Sequence, residues 1–240
     1  MKIGLISDVH ANLPALEAVL DAAPEIDVWI HAGDIVGYGP WPSETISVFQ
    51  KEGIVSIQGN HDRAAIGDFH DGFVGIPRLM AEWTASQLSD EECQYLESLP
   101  VETNYADGQI HVVHGAPDAP NRRLTLDDIE PSLLDGGDVL VLGHTHDQIV
   151  REFDAGTVVN PGSVGQPRDG DWRSAFAILS LDTMDVETHR IPYPYERVQE
   201  TARSYGFPDP IVTAYERGSI SSSELASWTE DVDPQDLGLD

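Results

Sequence analysis

The sequence predicts an α/β fold, with one domain over residues 1–218 and an acidic tail from 219 to 240. Three observations carry this. A chain of 240 residues is long enough to bury one full core without dividing. Short apolar runs alternate with amphipathic stretches in the strand, loop, helix order of βαβ units. Run after run also stops at a polar loop, several of them opening with glycine, as buried strands do where they reach the rim of a sheet.

Lys2 to Ile6 is the first strand and closes at Ser7-Asp8-Val9-His10. Asn12 then caps a helix that carries Leu13, Leu16, Val19 and Leu20 at helical spacing, with Pro14 in its first turn. The second strand, within Asp27-Val-Trp-Ile-His-Ala-Gly-Asp34, is the stretch the chain is organised around. Its apolar run delivers Asp34 to the rim, and ligands of open α/β sheets gather beyond the carboxyl ends of strands. The irregular loop Gly37 to Pro42 precedes a helix from Ser43 to Gln50, and Gly53 to Ile57 is a third strand ending in Gln58-Gly-Asn-His-Asp62.

Residues 66–77, with glycines at 67, 72 and 75, read as a mobile flap over the site. Arg78 to Leu88 and Ser89 to Leu99 read as two helices, the second with Ser89 and Glu92 in capping-box spacing. A hairpin, Val101 to Tyr105 and Gln109 to Val113, turns at Asp107-Gly108 and ends in His114-Gly115. Thr125 opens a helix, and the strand Asp138 to Leu142 ends in Gly143-His144-Thr145-His146. Strands at 148–153, 156–159, 173–181 and 185–190 follow, then a helix from Pro194 to Tyr205 and another from Pro210. Beyond Gly218, acids and Ser221-Ser-Ser mark a loosely held, solvating tail.

Composition narrows the function. There are 42 acids against 13 bases, a formal net charge of -29, and only Lys2 and Lys51 are lysines. That balance resembles proteins of salt-accumulating halophiles, and it excludes tight nucleic-acid binding, which needs clustered bases. Self-repulsion on this scale weakens the fold in dilute buffer, whereas molar salt shortens the Debye length to about 3 Å. The melting temperature is therefore expected to climb from dilute buffer into molar potassium or sodium chloride. A steady fall in a calorimetric series would contradict this. No apolar run reaches the roughly 20 residues of a membrane span, and no export signal precedes the first strand, so a cytoplasmic protein is expected. Cys93 stands alone, which excludes an internal disulfide, and it is given no chemistry.

The polar strand ends form a set: Asp8-x-His10, Gly33-Asp34, Gly59-Asn60-His61-Asp62, His114-Gly115 and Gly143-His144-x-His146, five blocks holding five of the nine histidines. Each block alone is an ordinary turn. Together they offer imidazole nitrogen, carboxylate and amide oxygen, a donor set suited to manganese, iron, zinc, nickel or cobalt. His31, His70, His111 and His189 fall outside the pattern and read as packing or surface residues.

In order and identity these blocks resemble the calcineurin-like metallophosphoesterases. Gly33-Asp-Ile-Val-Gly-Tyr-Gly-Pro40 and Asn160-Pro-Gly-Ser-Val-Gly-Gln-Pro-Arg168 resemble the small prokaryotic phosphodiesterase branch, and the likeness runs over about residues 1–200. It implies a four-layer αββα sandwich in which two mixed β-sheets pack face to face between helices. It also implies two divalent ions, manganese preferred, one held by Asp8, His10, Asp34 and His146 and the other by Asp34, Asn60, His114 and His144. Asp34 would bridge them. The reaction implied is hydrolysis of a small phosphate ester, a diester favoured, by attack of a metal-bound hydroxide. His61 would be the general acid, with Asp62 holding its ring. Phosphomonoesterase, protein phosphatase and a non-catalytic metal-binding scaffold are the rival readings. Thr145 and Asp147 read as loop residues. Among Arg63, Arg122, Arg123 and Arg168, Arg168 is favoured to meet a substrate phosphate, while Arg122 and Arg123 are expected to pair equally well with surface acids. Physiological substrate and oligomeric state are not legible in the residues.

Overall fold

The structure, a computed structural model, describes residues 1–70 and 73–226. Two five-stranded mixed sheets pack face to face. The first runs in the order β10-β9-β1-β2-β3 and is built from β1 (Lys2–Ile6), β2 (Val28–His31), β3 (Val55–Ser56), β9 (Ser174–Ser180) and β10 (Asp185–Ile191). The second runs β4-β5-β6-β8-β7, from β4 (Glu102–Tyr105), β5 (Ile110–Val113), β6 (Val139–Val141), β7 (Gln148–Phe153) and β8 (Gly156–Pro161). In the first sheet β1, β2 and β3 are parallel, with Ile6 beside His31 and His31 beside Ser56, so their carboxyl ends share one edge. In the second, β5, β6 and β8 are parallel. Three of the predicted strand-end blocks leave one edge and two leave the other.

Alternation along the strands divides the core. Ile3, Leu5, Ile30 and Leu179 of the first sheet meet Ile110, Val112, Val139, Val141 and Val159 of the second between the layers, all fully buried. At about 1.5–3 kcal/mol per buried aliphatic side chain, this interlayer holds the sheets together. The outer face of the first sheet is covered by helices. α1 (Leu13–Ala22) buries Leu16 and Val19, and its cap Asn12 accepts the Ala15 N–H at 3.3 Å. α2 (Pro42–Glu52) buries Ile46 and Phe49, and α4 (Ile76–Gln87) buries Met80 and Trp83. α6 (Tyr195–Ser204) and α7 (Asp209–Arg217) complete the layer. On α5 (Asp90–Ser98) the expected capping box is present, Ser89 and Glu92 exchanging bonds of 2.7 and 3.3 Å.

Four differences from the sequence expectation follow from length and context. The stretch after Thr125 forms two 3-10 turns, Leu126–Asp128 and Pro131–Leu134, so the outer face of the second sheet is covered by Leu124, Ile129 and Leu134 on irregular chain. The third strand shrinks to two residues. Asn60–Ala65, expected only as a strand end, is a short helix, α3, below the length at which periodicity is visible. The first residues of the expected tail are packed: Ile220 is 7 % exposed, and α8 (Ser222–Ala226) sets Leu225 against the helical layer. Of the expected flap, residues 66–75 lack regular structure where described and 76–77 open α4; Asp71 and Gly72 lie outside the described residues, as does the tail from 227.

His31 is buried on β2, its Nδ1 2.7 Å from Ser56 Oγ and its ring 4.8 Å from Phe49. Burial, with a smaller push from His114, lowers its pKa from 6.5 to about 3. Below pH 6.5 the unfolded chain therefore takes up a proton that the folded chain refuses, and stability falls with pH by about 1.4 kcal/mol per unit from this group. His31→Leu lacks that loss. The stability gap between the native protein and His31→Leu is expected to narrow by about 2 kcal/mol between pH 7 and pH 5 in the native protein's disfavour. Urea unfolding at both pH values checks this, and a gap independent of pH would contradict it.

Candidate metal centre

The predicted residues converge at the strand ends. Asp8, His10 and His146 place one ligand atom each within 4.8 Å of one another, and so do Asp34, His114 and His144. Asp34 belongs to both neighbourhoods: its Oδ2 lies 3.3 Å from His114 Nε2 and 3.7 Å from His10 Nε2. Asn60 joins the second group through Oδ1, 2.9 Å from His114 Nε2. His10, Asp34 and His61 form a third cluster, so His61 also faces the centre.

The local chain is built for this convergence. Asp8, His10, Asp34, His144 and His146 all have positive φ, between 49° and 69°, conformations that cost an L-residue roughly 1–3 kcal/mol. The strain is held by backbone bonds such as Asp8 N–H to Gly33 O at 3.0 Å and His10 N–H to Asp34 O at 3.0 Å. Gly33, at φ +95°, could carry no side chain: a Cβ there would stand 2.6 Å from His114 Nδ1. At Gly59 a Cβ would run into Asp34 Oδ1. The first turn of α3 then points the His61 N–H at Asp34 Oδ1, 2.8 Å away.

The imidazoles are oriented for a cation. His10, His114 and His146 each direct Nδ1 at a peptide oxygen, of Val36, Ala32 and Gln166, at 3.2, 2.8 and 2.5 Å. With the proton on Nδ1, the Nε2 lone pairs of His10 and His146 turn inward. His10 Nε2 and His146 Nε2 stand 3.0 Å apart with Asp8 Oδ1 3.3 Å from the latter, an arrangement of acceptors with no donor between them. His114 Nε2 faces the Asn60 and Asp34 oxygens at 2.9 and 3.3 Å, where its proton occupies the place a cation would take. A positive charge has to sit among them, and this donor set fits divalent transition metals.

The charges agree. Burial would raise Asp34, yet His114, His61 and His10 hold it well below the usual carboxylate range. Burial raises Asp8 to about 6, and His114, opposing its own burial, is pulled up to about 9 by Asp34 and Asp8. His10, His61, His144 and His146 are pushed down by burial and are neutral at pH 7.

Asp62 requires a correction. Its oxygens accept from three backbone N–H groups, Asp34 at 2.9 Å, Val36 at 3.0 Å and Gly59 at 2.9 Å. It therefore ties the Asp34 loop to the start of α3, and it leaves the His61 ring to others. That ring is boxed by Tyr38, Phe73 and His10 at 4.5 to 4.8 Å, and its Nδ1 has no partner among the described residues. Three backbone N–H bonds are worth more to Asp62 than one contact to a ring on the same short helix.

Above the centre lies a cleft of about 230 Å³ lined on one side by Phe73, Pro77 and Leu225 and elsewhere by His61, His144, Asn121, Arg123 and Arg168. Arg168 lines the cleft and stacks over Tyr38 at 5.6 Å. Arg122 pairs with Asp118 at 2.7 Å, and Arg63 bonds Asn121 Oδ1. The sequence reading missed Tyr38, Phe73 and Leu225, and it held Arg123 as a phosphate contact or a surface ion pair alike. Tyr38 had a signal, its place between Gly37 and Gly39 in the Asp34 loop; the others are brought in from separate elements.

Comparison with known proteins agrees with this geometry. The model of the calcineurin-like phosphoesterase superfamily domain matches residues 1–184. An uncharacterized protein of Methanocaldococcus jannaschii is 30% identical over 222 residues, 82% of this chain and 90% of that protein. A phosphodiesterase of the same organism is 26% identical over 167 residues, 68% of this chain and 83% of its own length. The crystal structure of a metallophosphoesterase from Sphaerobacter thermophilus superposes with a TM-score of 0.76 at 36% identity, covering 91% of this chain and 99% of that one.

Proposed function

Because the chain belongs to the calcineurin-like phosphoesterase superfamily and is a metal-dependent phosphoesterase, we propose that it is a phosphodiesterase working with two divalent ions. Asp8, His10, Asp34 and His146 would hold one ion, and Asp34, Asn60, His114 and His144 the other. The observation that carries this is the inward convergence of three Nε2 atoms on Asp8 and Asp34, with Asp34 common to both groups. Manganese is the ion favoured, with iron, nickel, cobalt and zinc suited to the same donors.

Bound there, the ions would lower the pKa of water and neutralise charge on the phosphoryl group during in-line displacement. The chain's own residues do the rest. Arg168, at the cleft rim, meets a phosphate oxygen. Phe73, Pro77 and Leu225 give the cleft an apolar wall that suits the organic arm of a diester and that excludes water. His61 supplies the proton to the departing oxygen. Burial keeps the free ring neutral, and an anionic substrate over it favours the imidazolium, the form able to protonate an alkoxide.

The test is elemental analysis combined with rates on bis(p-nitrophenyl) phosphate and p-nitrophenyl phosphate in molar salt. Two ions per chain and faster turnover of the diester are expected. One ion per chain would remove the paired-ion part, and preference for the monoester would make the protein a phosphomonoesterase.

A further inference from the structure

Arg123 and Arg168 line the catalytic cleft, and both also line a second hollow of about 220 Å³ with Thr125, Thr145 and Asp147. That hollow shares no residue with the apolar wall of Phe73, Pro77 and Leu225. Arg78, Arg122, Arg173, Arg190 and Arg217 each bond a carboxylate in this acid-rich chain. Among the described residues Arg123 and Arg168, like Arg63, Arg151, Arg197 and Arg203, form no ion pair, and of these six only Arg123 and Arg168 line the second hollow. Arg123 donates to the His144 peptide oxygen at 3.4 Å, and Arg168 to Gln166 Oε1 at 2.9 Å, while Arg168 Nε is buried without a partner. Asp147, the carboxylate of the hollow, forms an ion pair with neither among the described residues. Two guanidiniums lining one hollow repel each other, an anion between them removes that repulsion, and the planar fork of arginine matches phosphate bidentately.

We propose that Arg123 and Arg168 form a subsite for a second phosphate, so that the preferred substrates are phosphodiesters carrying a further phosphate group beyond the one hydrolysed. This rests on the phosphodiesterase reading and names its substrate class. The scissile phosphate sits over the metal centre within reach of Arg168, the second one lies between Arg168 and Arg123 in the adjoining hollow that both line, and an organic arm meets the apolar wall. Asp147 opposes part of the positive charge there, which leaves the pair of arginines in excess by one and sets the subsite to release its anion.

The experiment is calorimetric titration of the manganese-loaded protein, at one fixed salt concentration, with thymidine 5′-monophosphate and with thymidine 3′,5′-bisphosphate. The bisphosphate is expected to bind at least about tenfold more tightly, the worth of one charge-assisted contact. Arg123→Gln and Arg168→Gln should each cut that ratio to about threefold or less, and Arg123→Lys should leave an intermediate ratio, since it keeps the charge and loses the fork. Equal binding of the two ligands by the native protein would overturn the proposal. So would a native-sized ratio in both glutamine variants, or in Arg123→Lys should the glutamine variants fail to fold. Affinity is read apart from turnover: the ratio without hydrolysis of bis(p-nitrophenyl) phosphate would count against the diesterase reading, and hydrolysis without the ratio against the subsite.

Discussion

Asp34→Asn is expected to weaken both metal sites together and to bring turnover close to background. Its carboxylate is 1 % exposed and lies between His10 and His114, with the His61 N–H on its other oxygen. Removing one charged member of a buried set leaves the others uncompensated, at about 3–5 kcal/mol, or roughly 10²- to 10⁴-fold in affinity at each site. His10→Ala provides the contrast. His10 Nε2 stands with Asp8 and His146, so its loss should empty mainly that site and leave the His114 side loaded. Elemental analysis after exhaustive dialysis, with rates measured on the same samples, separates the two. An Asp34→Asn protein that kept two ions and full activity would sink the assignment of Asp34 as the bridge.

His61→Gln is expected to keep both ions and the fold yet to lose about 10²- to 10⁴-fold on an alkyl phosphodiester, whose leaving alkoxide needs a proton. On a nitrophenyl ester the loss should be far smaller, because nitrophenolate departs unaided and the electrostatic clamp still operates. The unpartnered Nδ1 sharpens this expectation. With Asp62 committed to backbone N–H groups, no carboxylate holds the His61 ring, and its orientation comes from Tyr38, Phe73 and His10. Phe73→Ala should therefore reproduce part of the His61→Gln defect on the alkyl ester while leaving metal content unchanged. Equal losses on the two esters, at matched metal occupancy, would take the general-acid role away from His61.

Much of this protein was written in local pattern. A strand that ends in glycine and a carboxylate places that carboxylate at a sheet rim wherever the strand ends up, so Asp8, Asp34, Asn60, His114, His144 and His146 were legible before any contact was known. Helix caps are equally local, and Asn12 and Ser89 bond as their spacing requires. Short or irregular elements were not legible. The six residues of α3 and the 3-10 turns after Thr125 give no periodicity to read, and their form is set by the sheets they cover.

What only the tertiary structure decided is how groups far apart in the chain share charge and space. His10 and His146 meet across 136 positions, and the opposed lone pairs that call for a cation exist only because two sheets present their rims to one cleft. The same holds for the arginines. Arg122 and Arg123 are neighbours of one type, and nothing in their order says that the first will pair with Asp118 while the second turns toward Arg168 without a carboxylate. Asp62 follows this logic as well, since three backbone N–H groups from two loops outcompete the adjacent ring. Sequence alone determined which residues reach the candidate site, because strand ends and caps depend on nearest neighbours. Partner choice among them depends on burial and distance, and those belong to the packed sheets.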